Sequence, residues 1–257
     1  MTIYMQTAAR PVKEAPMTEA ERKARVELAA AYRIFDMLGW SLLIFNHITL
    51  RVEGREPRFL INPFGLHYSE ITASSLLLVD LEGNVLRESR WPMNRAGFVI
   101  HSALHESQPE AHCIMHTHTT TGMAVACLKD GLSPHNFYGA MLQGLVAYHD
   151  FEGITVEPGE KERLVRDIGD KRAVILRNHG LLAWGPSVPQ AFLTLWTLQQ
   201  ACDVQIAAAS AGAIHPVTPQ AIAISVRESG QGEKRTCEDV FAALRRKLDS
   251  VDPSYRE

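Results

Sequence analysis

Apolar positions at helical spacing, Val26, Leu28, Ala29, Tyr32, Ile34, Phe35 and Leu38, follow a Thr18-Glu19-Ala20-Glu21 capping box and stop at Gly39, which predicts a first amphipathic helix. The period then shortens to two. Residues 46–52 and 58–62 read as a hairpin around a polar turn with Gly54 and Pro57. Thr72 and Ser74 open a short helical turn, and residues 76–80 and 85–86 form a second strand pair around Glu82-Gly83-Asn84. Helical spacing returns over 98–107, closed by Gln108-Pro109. Residues 111–118 read as a buried strand, 119–128 as a threonine-capped helix and 129–157 as a loop-rich stretch. A helix from Pro158 to Gly169, strands 173–176 and 181–184 and a long helix 188–211 complete the periodic part. The Pro-, Ser- and Gly-rich segment 212–233 reads as a connection, and 236–249 as an exposed helix of mixed charge. These boundaries divide the chain into an arm (1–17), a main domain (18–211) and a C-terminal connection and helix packed on that domain (212–257).

Chemistry concentrates in the histidines. On a strand the side chains of His116 and His118 point the same way and can grip one ion. His179 follows the apolar run 173–176 where it enters a glycine turn, so if the two strands are neighbours, three imidazoles converge. Three nitrogen ligands with open positions match a catalytic metal centre; a structural zinc site closes with four ligands, usually including cysteine. His101 and His105 share a helix face four residues apart, but Ser102-Ala103-Leu104 between them supply no carboxylate base, so one of them is read as packing near the site. The stretch 129–157 holds His135, Tyr138, Tyr148, His149, Asp150 and Glu152, and scaffolded loops often carry binding residues.

Composition narrows the function classes. A net charge of −3 over 257 residues, with no basic cluster, excludes nucleic acid and anionic membrane as main partners. No apolar run reaches the ~18 residues needed to cross a bilayer and no leader pattern opens the chain, so a cytoplasmic protein is expected. Cys113, Cys127, Cys202 and Cys237 are widely spaced and read as reduced, buried thiols.

The first helix, the Asn46-His47-Ile48-Thr49 strand, Asn62-Pro63-Phe64-Gly65, Leu78-Val79-Asp80-Leu81-Glu82-Gly83, the His101 helix, His116-Thr117-His118 and Asn178-His179-Gly180-Leu181-Leu182 occur in an order that resembles the class II aldolase and adducin head-domain family over about residues 20–211. The resemblance implies a three-layer α/β/α fold around a mostly antiparallel sheet. It implies a homotetramer with the active site between subunits, and one divalent ion per chain on His116, His118 and His179: zinc first, with manganese or iron as alternatives. The family's sugar-phosphate aldolases carry an acid/base glutamate four residues before the position of His101, where this chain has Gly97. Their phosphate pocket of small hydroxyl residues and an asparagine is replaced by His47, Phe64, Arg95 and Ala96, which argues against a phosphorylated sugar. Gly97 is expected to open space at the metal for a larger carbonyl or aromatic acid. Tyr138 matches a tyrosine that donates a proton from the neighbouring subunit.

The expected function is a metal-dependent carbon–carbon lyase, by retro-aldol cleavage or decarboxylation, acting on a small unphosphorylated oxo- or hydroxy-acid. Tyr138 and His101 are the candidate catalytic residues, and His47, Asn62, Gly65, Arg95 and His135 the candidate substrate-binding ones. Glu106, Glu152, Asp150, His101 and Tyr148 are candidates to replace the missing glutamate. Two alternatives carry different chemistry. One is a mononuclear iron oxygenase on an aldolase-like fold, for which no acidic ligand is placed; the other is a non-enzymatic adducin-like scaffold.

Overall fold

The computed structural model describes residues 16–54, 56–153, 159–229 and 233–257, without the side chains of Arg95 and Ala96. The predicted arm and Pro158 therefore fall almost wholly outside the described residues. Helix α1 (Glu19–Met37) starts where Thr18 accepts a hydrogen bond from the Glu21 amide, and Gly39, at φ +74°, ends it. The Glu21 carboxylate does not close a capping box. It is buried with Arg25, at 2.9 Å, and with Arg87, while Arg25 also donates to the carbonyls of Ala73 and Leu76. Burial pushes the Glu21 carboxyl up, but hydrogen bonds from Arg87 and Arg25 outweigh it and hold it below its usual value. Removing one partner of such a buried pair typically costs about 3–5 kcal/mol.

Strands β1 (His47–Val52), β2 (Arg58–Ile61), β3 (Leu77–Val79), β4 (Cys113–Thr117), β5 (Val146–His149), β6 (Ala173–Leu176) and β7 (Gly180–Gly185) form one sheet in the order β3-β2-β1-β4-β7-β6-β5. Every pairing is antiparallel except β5 with β6. Strand alternation then sorts the layers. Ile48, Leu50, Cys113, Met115, Ile175, Leu181 and Ala183 enter a core shared with α1, α3 (Thr120–Ala126), the long α6 (Val188–Ala211) and α8 (Lys234–Val251). The alternate residues Ile114, Val174, Leu176, Leu182 and Trp184 meet Ile100 and Leu104 of α2 (Arg95–Ser107) and Leu164 and Ile168 of α5 (Glu160–Ile168). The result is the expected three-layer α/β/α architecture.

Several expectations are corrected. Part of the loop-rich stretch 129–157 is ordered as α4 (Phe137–Met141) and edge strand β5, whose side chains alternate between half-buried and buried. The connection 212–233 contains α7 (Pro219–Glu228), and the final helix buries Cys237, Phe241 and Leu248. Residues 85–86 contribute only a single bridge, Val79 to Val85. The helical turn lies at Tyr68–Glu70, capped by His67. Cys127 is exposed, unlike the other three cysteines. Among the described residues, no helix is long and apolar enough to cross a membrane.

Candidate metal centre

His116 lies near the end of β4 on the α2/α5 side of the sheet, opposite His47 of β1 in register, and His118 follows one residue beyond the strand. β4 and β6 are not neighbours: β7 lies between them, and His179 reaches the site because it sits in the β6–β7 turn. That turn is shaped by Asn178 at φ +57°, whose amide donates to the Ala126 carbonyl at the end of α3. Gly180 is required by contact, since a Cβ there would stand 2.4 Å from the Thr117 carbonyl oxygen. Each of the three histidines offers a ligand atom within 4.8 Å of the others, and among the described residues no other group of histidine, cysteine or carboxylate converges so.

Proton bookkeeping defines what the triad can hold. The Leu181 carbonyl can only accept, so the His116 Nδ1–H donates to it at 2.8 Å and leaves a lone pair on Nε2. The His118 Nε2–H donates to that lone pair at 2.6 Å, and His118 would hold an ion through Nε2 as the neutral tautomer with its proton on Nδ1. His118, half-buried just beyond the strand end, would be one of the three residues to hold the ion. Burial first, then the neighbouring imidazoles, holds His116 well below the ordinary histidine value. The same causes lower His118 to about 4, and burial lowers His179. All three are therefore neutral donors near pH 7. The residues fit a divalent ion that would keep its full charge.

Behind the triad, a second group of histidines is linked through one threonine. His105 Nδ1–H donates to the Ala111 carbonyl at 2.7 Å, which leaves Nε2 to accept from the Thr49 hydroxyl at 2.8 Å. Thr49 Oγ1 in turn accepts from His101 Nδ1–H at 2.7 Å, so the His101 lone pair is on Nε2, buried and without a hydrogen-bond partner among the described residues. His47 packs between the two groups, with ring centroids 4.2 Å from His101 and 5.5 Å from His116. It is 4% exposed, and burial, then the charge of His118, lowers it to about 3.

Gly97 does not open space at the metal. A Cβ there would lie 2.6 Å from His47 Cε1, so the imidazole of His47 fills the room that a side chain at 97 would need.

The remaining candidates are dispersed within one chain. Asn62 is buried and accepts from the Tyr32 hydroxyl at 2.9 Å, an interaction that ties β2 to α1. Gly65, at φ +116°, packs against Trp91. His135 is exposed and accepts from the Val217 amide, and Tyr138 packs edge-on against Trp196 of α6 at 5.5 Å. The Arg95 side chain is outside the described residues. Of the candidates to replace the glutamate, Tyr148 donates to no triad residue; its hydroxyl accepts from the Leu132 amide. Thr49 and Asp167 were missed. Thr49 shares the inward face of β1 with His47, two residues away, and Asp167 faces His149 once residues 146–149 are recognised as a strand.

With this fold and site, the chain belongs to the class II aldolase and adducin N-terminal domain family, whose model matches residues 26–206. It is similar to an aldolase II superfamily protein from Pseudomonas syringae, at 41% identity and a TM-score of 0.90, covering 93% of this chain and 97% of that one. An L-fuculose 1-phosphate aldolase from Glaciozyma antarctica is similar at 30% identity and a TM-score of 0.81, over 96% and 97% of the two chains. Alpha-adducin of Rattus norvegicus is 46% identical over 76% of this chain, a match that spans 27% of adducin's length.

Proposed function

We propose that this protein is a divalent-metal-dependent carbon–carbon lyase acting on an unphosphorylated oxo- or hydroxy-acid. The observation that carries the reading is the convergence of three neutral imidazoles on one point, with the His116 lone pair aimed by the Leu181 carbonyl. When bound, a divalent ion at His116, His118 and His179 supplies Lewis-acid polarisation of a carbonyl and stabilises the negative charge that develops as a carbon–carbon bond breaks. The protein's own part is to keep these imidazoles neutral by burial and to fix their direction from β4 and the β6–β7 turn. The substrate is taken as unphosphorylated because Phe64, packed on Phe45 at 6.2 Å, stands where the family's phosphate pocket has a small hydroxyl residue. Zinc is the expected ion.

The test is elemental analysis of protein purified without chelator, beside the His116→Ala/His118→Ala variant, with oxygen uptake followed on 2-oxo acids. About one zinc or manganese per chain, lost in the variant and without oxygen uptake, supports the lyase. Iron with oxygen uptake replaces it with an oxygenase. Protein without metal in either form favours the second reading, an adducin-like binding scaffold, which the 46% identity to alpha-adducin supports.

A further inference from the structure

One buried titratable side chain beside the triad belongs to neither histidine cluster. His149 ends β5 on the same side of the sheet as His116, is 5% exposed, and pairs in register with Leu176, three residues before His179. Its Nδ1 lies 2.8 Å from Asp167 Oδ2 of α5, and a carboxylate can only accept, so Nδ1 carries the proton. The Asp167 carboxyl is held below its usual value, first of all by this hydrogen bond. The lone pair is therefore on Nε2, which meets no hydrogen-bond partner among the described residues. Glu152 Oε1 stands 3.9 Å from it and, as a carboxylate, offers no proton. A buried acceptor left in this state is unfavourable, and a ligand donor would satisfy it.

His149 and His179 line one cleft, together with Ile100, Phe151 and Leu176. The charge of that cleft selects what can enter. Asp150, Glu152 and Glu160 also line it. The cations nearby are engaged: Arg163 pairs with Glu152, and Arg177 lies 4.6 Å over the Tyr148 ring, donates to the Leu128 carbonyl and stands 3.7 Å from Asp150. A carboxylate or phosphate would be repelled here, whereas a neutral hydroxyl finds a free acceptor.

We infer that His149, oriented by Asp167, is the catalytic residue that accepts the hydroxyl proton of a 4-hydroxy-2-oxo acid whose oxo-acid end sits at the triad, which makes the reaction a retro-aldol cleavage rather than a decarboxylation. This inference rests on the lyase reading above. His149 Nε2 takes the proton of the C4 hydroxyl, the C4–O π bond forms and the C3–C4 bond breaks. The electron pair passes into the 2-oxo group, giving the enolate of the shorter 2-oxo acid. His149 then returns the proton to C3, so that aldehyde and 2-oxo acid leave with every atom accounted for. Asp167 is a positioning residue: its carboxylate keeps Nδ1 protonated and Nε2 open throughout.

The test uses metal-loaded protein and 4-hydroxy-2-oxopentanoate, with three readouts: metal per chain, ¹⁵N imidazole spectra and pyruvate release. The expected result is full metal content in wild type, His149→Gln and Asp167→Asn, with pyruvate release falling about 10²–10⁴-fold in His149→Gln. The His149 signal of wild type shows Nδ1–H, and its Nε2 shift moves when the probe is added. In Asp167→Asn the tautomer flips to Nε2–H and activity falls with it, an effect that a merely structural role for Asp167 would not produce. Unchanged cleavage in His149→Gln overturns the inference and leaves the lyase reading standing. Metal binding and a probe-dependent Nε2 shift without pyruvate release overturn the lyase reading, and the proton-transfer step with it, and leave His149 as a hydroxyl contact. A wild type whose His149 signal does not respond to the probe overturns the inference directly.

Discussion

Two histidine clusters share the α2/α5 side of this sheet, and the burial of His116 does not distinguish it from the rear pair. His101 and His105 are as deeply buried as His116, and each cluster joins a strand to a second element. The difference is in their protons. In the rear cluster Ala111, His105, Thr49 and His101 form a chain in which each donor meets one acceptor. In the front cluster His116, His118 and His179 converge, and among the described residues the Leu181 carbonyl is the only hydrogen-bond partner of their side chains from outside the triad. A set of nitrogen donors that the protein aims but leaves incomplete is what an ion can complete. His101 too keeps an open Nε2, so a ligand is recognised by an aimed lone pair that converges with others on one point.

The sharpest way to break this comparison is to remove one residue from each cluster. His116→Ala abolishes metal retention measured by elemental analysis, whereas His105→Asn keeps about one ion per chain. Acid separates folded from unfolded forms next. Burial holds His47 and His105 at about 3, below their unfolded value near 6.5, so the unfolded chain binds more protons once pH falls below that value. Stability of the metal-free protein is complete above about pH 6.5. It falls by about 1.4 kcal/mol per pH unit for each of these two histidines, which alone separates urea melts at pH 7 and pH 5 by about 4 kcal/mol, and the lowered triad histidines add to the loss in the same direction. Equal stability at the two pH values would show that these rings are hydrated in the folded state.

Thr49→Val tests the rear cluster alone. It strands the His101 N–H and the His105 lone pair, costs about 2–4 kcal/mol in urea unfolding and leaves metal stoichiometry unchanged. The smallest effect is at the border between the clusters. Gly97→Ala drives a methyl into His47 and costs about 1–3 kcal/mol, and in Gly97→Ala/His47→Ala the two losses are less than additive. Strict additivity would mean that the two residues do not share space.

Much of this was legible in the chain because strand period and histidine spacing coincide. His116 and His118 differ by two residues, so a strand places both on one face without further information. His179 was legible as a candidate, but its approach depends on β7 lying between β4 and β6, an order of strands that local pattern does not encode. His149 was legible only as one of several polar residues in a loop-rich stretch. Its strand is only four residues long and sits among glycine and polar residues that favour a loop, and what makes it a strand is pairing with β6, a long-range interaction. Gly97 misled in the opposite way, because an absent side chain looks like room until the neighbour that fills it, His47, is placed.

The β6–β7 turn has a consequence for selectivity. His179 is carried by a loop pinned on both sides, to α3 through the Asn178 amide and to β4 through the close contact of Gly180 with Thr117. The ordering entropy of that ligand is settled when the chain folds, before any ion arrives. Such a rigid mount gives little accommodation to a cation of the wrong radius or coordination number. A larger oxygen-preferring ion would therefore be disfavoured at the proposed site for want of give, rather than by a competing attraction elsewhere.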